Sequence, residues 1–487
     1  MPKPGAAAAS GSKFIARLYE PKAFPIARVR AARVFLIPMK YALIIAGGGG
    51  EPIGTPIPDL EGFTPLEAAR TPMLDALGES GRQGVVRTTP EGATSGAHAP
   101  VCSLLGVDMR GWAPSRAGLE ALGLSAEVGS DATVWRLVPV TMDADFATIA
   151  DPYPAFVTAA DTRALVESLR GAMSAHGELS RFRVVDGAGA LGNEALLILD
   201  DASEESRAGK HAMPGADEMF GGGGGSGGGR ALVKAFPKGP VGQMLRAVCE
   251  LSADVFQNHP VNMLRAEHDL SPVSMFWAEG GGALPVVQTG LGEMFDVRAA
   301  VVTGDAACAG AAQMLGIDRL PVPGELLGSR ADFGAMASAA IGALERYDLV
   351  IVHTDALTAA SLAGDWRAKS AIWERIDEEL VVPIHARLLA EGDAEADADQ
   401  EGWRLMVACD SVCSCAQRLR AGDASPFVMA GAFVRSVLNA PFGDTNAHGS
   451  DLKIDPGHTL MEYFLYSGLR VSRRRGGAGV GTKQWEG

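Results

Sequence analysis

The chain has 487 residues, 47% of them apolar, and a formal charge of −15 at pH 7. That length provides for two or three domains, or for one large α/β domain carrying an insertion. The acid excess excludes a general nucleic-acid binder, which needs a basic face, and no stretch approaches the roughly 18 consecutive apolar residues of a membrane span.

Residues 1–38 hold one acid, Glu20, against seven Lys/Arg. They read as a disordered upstream extension or a misassigned start, with an organelle-type transit peptide as the alternative. The first strand is predicted at Ala42–Ile45, and four glycines follow, Gly47 to Gly50. A dinucleotide loop needs glycines at i, i+2 and i+5 and then a helix. Counting from Gly47 or Gly48, the last position is Pro52 or Ile53, and no Gly-Lys-Ser/Thr follows for a mononucleotide loop. The glycines therefore mark a sharp turn with no side chains to offer.

Onward, the pattern predicts a helix over Pro65–Gly78, a strand at Gly84–Arg87, a helix over Asp161–Gly177 and a strand at Leu196–Leu199. The run Phe220–Arg230, FGGGGGSGGGR, is a flexible surface loop. A helix over Val241–Phe256 and a strand at Arg298–Val302 come next, then a helix over Ala331–Tyr347, a strand at Leu349–His353 and a helix over Ala368–Glu391. The run Glu391–Glu401 carries six acids but lacks the glycine of a calcium loop, and reads as a solvated loop. A last strand at Arg404–Ala408 precedes a flexible tail over 471–487. Strands separated by helices of this length argue for a largely parallel sheet flanked by helices. The six cysteines, at 102, 249, 308, 409, 413 and 415, contain no CxxC pair and fit a reducing, cytoplasmic setting.

From Met39 to about Leu469 the chain resembles the archaeal-type cofactor-independent phosphoglycerate mutases of the alkaline phosphatase superfamily. The resemblance rests on LEGFTPLEAARTPMLDALGESGRQGVVRTTPEG (Leu60–Gly92), SRAGLEALGL (Ser115–Leu124), NHPVNMLR (Asn258–Arg265) and GHTLMEYFL (Gly457–Leu465). It implies an alkaline-phosphatase-like core over 39–128 and 251–470. A smaller α+β lid, carrying the glycine loop 220–229, is inserted over 129–250. It also implies two divalent metals, Mg²⁺ or Mn²⁺, and a serine that carries the phosphoryl group between two glycerate oxygens, an isomerase reaction of glycolysis.

Placed on this sequence, the family's motifs are depleted. Gly47 stands where the first strand ends in a ligating Asp, and Ala97, followed by His98, stands at the nucleophile. In HTDALTAASL, Thr358 and Leu362 replace a ligating Asp and His. Asp410 survives, but the adjacent His is Ser411, and Leu419–Phe427 contains no histidine. One carboxylate cannot hold two divalent ions.

Arg116, Arg136, Asn262 and Arg265 match substrate-side positions of the family; Arg116 answers more readily to a structural ion pair at a helix end, Val138 replaces the asparagine that accompanies Arg136, and His259-Pro260 before Asn262 would also simply terminate a helix. Cys409, Cys413 and Cys415 sit beside Asp410, either as a thiol site or as plain buried cysteines. The expectation is a non-catalytic homologue, a pseudoenzyme, that binds a phosphorylated or carboxylated metabolite or a protein partner, without cofactor, nucleic acid or membrane. The alternatives are an active two-metal mutase and a different chemistry on the Cys409–Cys415 cluster.

Overall fold

The computed structural model describes residues 39–90, 99–110, 114–188, 192–200, 202–207, 210–221, 231–286, 289–390 and 402–467. The expectations for residues 1–38, the nucleophile position Ala97, most of the glycine loop, the acidic run and the tail lie outside these residues.

The strands, in chain order, are β1 (Met39–Ala46), β2 (Arg82–Val86), β3 (Thr133–Met142), β4 (Ile149–Asp151), β5 (Phe182–Ala188), β6 (Glu194–Leu199), β7 (Met275–Gly282) and β8 (Ala299–Thr303). They continue with β9 (Asp318–Arg319), β10 (Leu349–Thr354), β11 (Gly402–Cys409), β12 (Val412–Ser414), β13 (Leu419–Ala421), β14 (Ser425–Gly431) and β15 (Lys453–Ile454). The main sheet runs β15-β2-β14-β11-β1-β10-β8-β9. β1 is central and parallel to both neighbours, β10 and β11. Its MKYALIIA sequence is apolar on both faces because both are covered. Ile44 joins a core with Phe333 and Trp373, while Leu43 and Ile45 join another with Phe295 and Phe464.

Register decides what meets at the carboxyl edge of this sheet. Ala46 pairs with Thr354 on one side and Cys409 on the other. Gly47, Asp355 and Asp410 therefore leave three adjacent parallel strands at one level, the usual place for a site in such sheets. Helices Arg116–Gly123 and Ala306–Met314 cross over the face of the sheet with backbones touching. A Cβ on Gly123 would collide with the Ala306 carbonyl, and one on Gly310 with the Leu119 carbonyl. This crossing fixes Arg116 at the first position of one helix and Asp305 as the N-cap of the other.

A second sheet is wholly antiparallel: β5-β6-β3-β7, with β4 against the end of β3. Helices Ala159–Ser174 and Pro240–Phe256 pack on it around Trp277, Phe256 and Leu169. β7 lies beyond residue 250, so the chain of the smaller sheet reaches into what the sequence reading gave to the second core segment. The expected helix over Pro65–Gly78 is two helices, Pro65–Ala68 and Pro72–Ser80, because Pro72 can start a helix but not continue one. The last long helix carries a π-helical stretch, Ile376–Val381, just before Pro383, whose missing N–H breaks the α-ladder there. Among the described residues no helix is long and apolar enough to cross a membrane.

Candidate functional site

At the carboxyl edge, His353, Asp355 and Asp410 offer one ligand atom each, all within 4.8 Å of one another, and all three residues are buried. His353 and Asp355 lie two apart at the end of β10, so both side chains point to one side. His353 Nδ1 is 3.1 Å from Thr303 Oγ1 on the neighbouring strand, and Nε2 faces Asp355 Oδ1 at 3.9 Å without a hydrogen-bond partner. Burial alone would pull this imidazole down, but Cys308, Asp355 and Asp305 outweigh it and hold its pKa well above the ordinary value. Asp410 Oδ1 accepts from Gly48 N–H at 2.8 Å and from Ser411 Oγ at 2.7 Å.

The sequence reading left Asp410 as a lone acid. The structure brings two further potential ligands beside it, neither at a position where the family motif places a metal ligand. Asp355 also explains Gly47: a Cβ there would overlap Asp355 Oδ1 and stand 2.9 Å from the Thr354 carbonyl. The carboxylate missing from the end of β1 has its space filled by one from the end of β10.

The glycines after β1 form a keystone rather than a cradle. The N–H groups of Gly47, Gly48, Gly49, Gly50 and Glu51 donate to Thr354 O, Asp410 Oδ1, Ala46 O, Ser411 O and Asp444 Oδ1. None is left for a phosphate. Space also demands glycine: a Cβ on Gly49 would press on Trp373 and Cys409 Sγ at 2.6 and 2.7 Å. Beneath the loop, buried Lys369 donates to Gly50 O, Glu51 Oε2 and Cys413 O at 2.9, 2.8 and 2.8 Å.

Asp444, which also accepts from Thr64 Oγ1, has its carboxyl pushed up by burial from 3.8 to about 6. The folded protein thus holds this proton where the unfolded chain has lost it. The contribution to stability is full below about pH 4 and is lost as pH rises to about 6, some 3 kcal/mol in all. Asp444→Asn removes this term. Urea unfolding at pH 4 and pH 7 is expected to show the variant gaining about 2–3 kcal/mol on the wild type between the two.

Above the cluster a cavity of about 720 Å³ opens between the two sheets, lined by Arg116, Arg136, Arg420, Tyr153, Glu279 and Asp410 among others. Two of the expected arginines reach it. Arg116 Nε pairs with Glu120 Oε1 at 3.0 Å, and Arg136 Nε with Glu120 Oε2 at 2.9 Å. Arg136 is also paired with Glu194 and Glu279, so its guanidinium is committed to three carboxylates. Arg420, on the β12–β13 hairpin, makes no side-chain hydrogen bond or ion pair with any described residue and faces the cavity. Its neighbour Arg418 ties the hairpin to Asp151 and to Tyr153 O of the smaller sheet.

Asn262 and Arg265 do not line the cavity. Asn262 donates to Phe256 O and Val273 O and accepts from Val273 N–H. Arg265 donates to Ser271 O and to Ala155 O, which steadies the 152–157 segment of the cavity wall. These contacts position a helix end and a loop. The three cysteines are buried, and burial raises each thiol, Cys415 to about 12. Among the described residues they form no metal-binding group.

A sequence profile described as 2,3-bisphosphoglycerate-independent phosphoglycerate mutase matches residues 78–262. The chain is 26% identical over 430 residues to a probable 2,3-bisphosphoglycerate-independent phosphoglycerate mutase of Geobacter sulfurreducens, covering 88% of this chain and 100% of that protein. It is 28% identical over 429 residues to the 2,3-bisphosphoglycerate-independent phosphoglycerate mutase of Methanothrix thermoacetophila, with the same coverage. Over most of its length the chain is thus similar to 2,3-bisphosphoglycerate-independent phosphoglycerate mutases. Its fold is that of the PH0037 protein from Pyrococcus horikoshii, at TM-score 0.62 and 22% identity over 88% of this chain and 97% of that one.

Against the two-ion centre that the resemblance implies, the described residues offer one group of three potential ligands. Thr358 Oγ1 donates weakly to Asp355 Oδ1 at 3.4 Å, Leu362 lines the cavity with an apolar side chain, and Ser411 is spent on Asp410. His353 and Asp355 were legible only as a His-x-Asp pair closing a strand parallel to the one before Asp410. Arg420 stood in a segment noticed only for lacking histidine.

Proposed function

We propose that this chain is a phosphoglycerate-mutase-family protein that does not transfer phosphoryl groups and instead binds a small organic acid in the cavity between its two sheets. The observation that carries this reading is the crowded space at Gly47, where a Cβ would overlap Asp355 Oδ1 and stand 2.9 Å from the backbone carbonyl of Thr354. The alanine at position 97, which has no oxygen to accept a phosphoryl group, agrees with it. The volume suits a metabolite-sized ligand, and Arg420 supplies an uncommitted bidentate donor for one carboxylate or phosphate.

Charge narrows the ligand. Seven carboxylates against three guanidiniums line the cavity. A multiply charged phosphoglycerate meets net repulsion there, whereas a molecule with one acidic group and hydroxyl or amine donors at its other end suits both walls. Thermal-shift and calorimetric titration with a panel of small carboxylic and phosphoric acids, without added Mn²⁺, tests this. A ligand at a hundred times its Kd should add about 3 kcal/mol of stability. Arg420→Ala is expected to abolish the response while the protein remains folded. A panel without any stabilising acid, or an unchanged response in the variant, contradicts the reading.

A further inference from the structure

We propose that His353, Asp355 and Asp410 bind one divalent transition-metal ion, in a site where only Asp410 stands at a ligand position of the family motif. The inference does not depend on the ligand reading above. Donor atoms about 2.0–2.2 Å from a shared ion lie some 3–4.5 Å from one another, and these three fall within 4.8 Å.

A second observation points to a missing partner. His353 is 1% exposed, and its Nε2, 3.9 Å from Asp355 Oδ1, has no hydrogen bond. A buried nitrogen left in that state is costly. The groups behind the ligands are already set. Thr303 Oγ1 at 3.1 Å from Nδ1 orients the imidazole, and Gly48 N–H and Ser411 Oγ hold Asp410 through one oxygen, leaving the other. Such outer contacts are how ligating histidines and carboxylates are fixed.

The donor set chooses among ions. One imidazole nitrogen with two carboxylates suits Zn²⁺, Mn²⁺, Fe²⁺ or Co²⁺, whereas Mg²⁺ and Ca²⁺ favour oxygen alone. Three protein ligands leave a position open, and Asp355 and Asp410 both face the cavity. No second group of three ligating side chains occurs among the described residues, so the stoichiometry is one.

The test uses the full-length protein, stripped with EDTA and dialysed against Zn²⁺, Mn²⁺ or Mg²⁺, with bound metal quantified per chain. The expected result is one equivalent of Zn²⁺ or Mn²⁺ and no retained Mg²⁺, with uptake lost in His353→Ala and Asp355→Asn. Pulsed EPR of the Mn²⁺-loaded wild type should show coupling to an imidazole nitrogen, a readout that needs no variant to fold. Two equivalents, no uptake, uptake undiminished in a folded His353→Ala protein, or Mn²⁺ without nitrogen coupling would each overturn the proposal.

Discussion

Lys369→Ala is expected to destabilise the protein by about 3–5 kcal/mol, read as a lowered urea midpoint at unchanged slope. Lys369 and Glu51 are 0% and 2% exposed at the side chain, and Nζ lies 2.8 Å from Oε2. Truncation removes the cation from the buried Glu51 carboxylate and one donor from the Cys413 carbonyl, while Gly50 O keeps the Cys413 N–H at 3.0 Å. Glu51 Oε1 retains only the Cys415 N–H at 2.8 Å. The cost is that of an unpaired buried charge rather than the net worth of the pair. A double variant, Lys369→Met with Glu51→Gln, should therefore be more stable than Lys369→Ala. The loss should also reach the site, because the same loop carries the Gly48 N–H that holds Asp410.

Gly47→Asp, which reinstates the family's carboxylate, is expected to cost about 3 kcal/mol and to restore no phosphoryl transfer. The new Cβ overlaps Asp355 Oδ1 and crowds the rigid Thr354 carbonyl. The new carboxylate would add a third negative charge beside Asp355 and Asp410. Combining it with Asp355→Gly removes both the overlap and one charge, and should recover most of the loss. The double-mutant cycle by urea unfolding measures this coupling, expected at about 1–3 kcal/mol. A single variant as stable as the wild type would show that the space at position 47 is free.

The long periodic elements were plain in the sequence. β1, β8, β10 and β11 are short apolar runs ended by glycine or acid, and each appears in the sheet. β3 and β7 escaped notice because their polar members, Arg136 and Glu279, neutralise each other inside the fold and so interrupt the apolar pattern. Gly47 could be recognised as an altered ligand position, since it sits at a strand end in a known motif. Its compensation could not, because Asp355 meets it only through the register of β1 with β10, more than 300 residues away in the chain. The same holds for Arg420, whose freedom depends on which acids the other arginines have already taken. Asn262 and Arg265 show the converse: a motif preserved in sequence serves here to pin a helix and a loop.

The proposed function requires that a mutase-like fold persist here without a two-ion, hydroxyl-based transfer centre. Conversion of 3-phosphoglycerate to 2-phosphoglycerate by the purified full-length protein, followed by ³¹P NMR with excess Mn²⁺, tests it most directly. No 2-phosphoglycerate above the enzyme-free control is expected. Sustained interconversion that scales with protein concentration would contradict it.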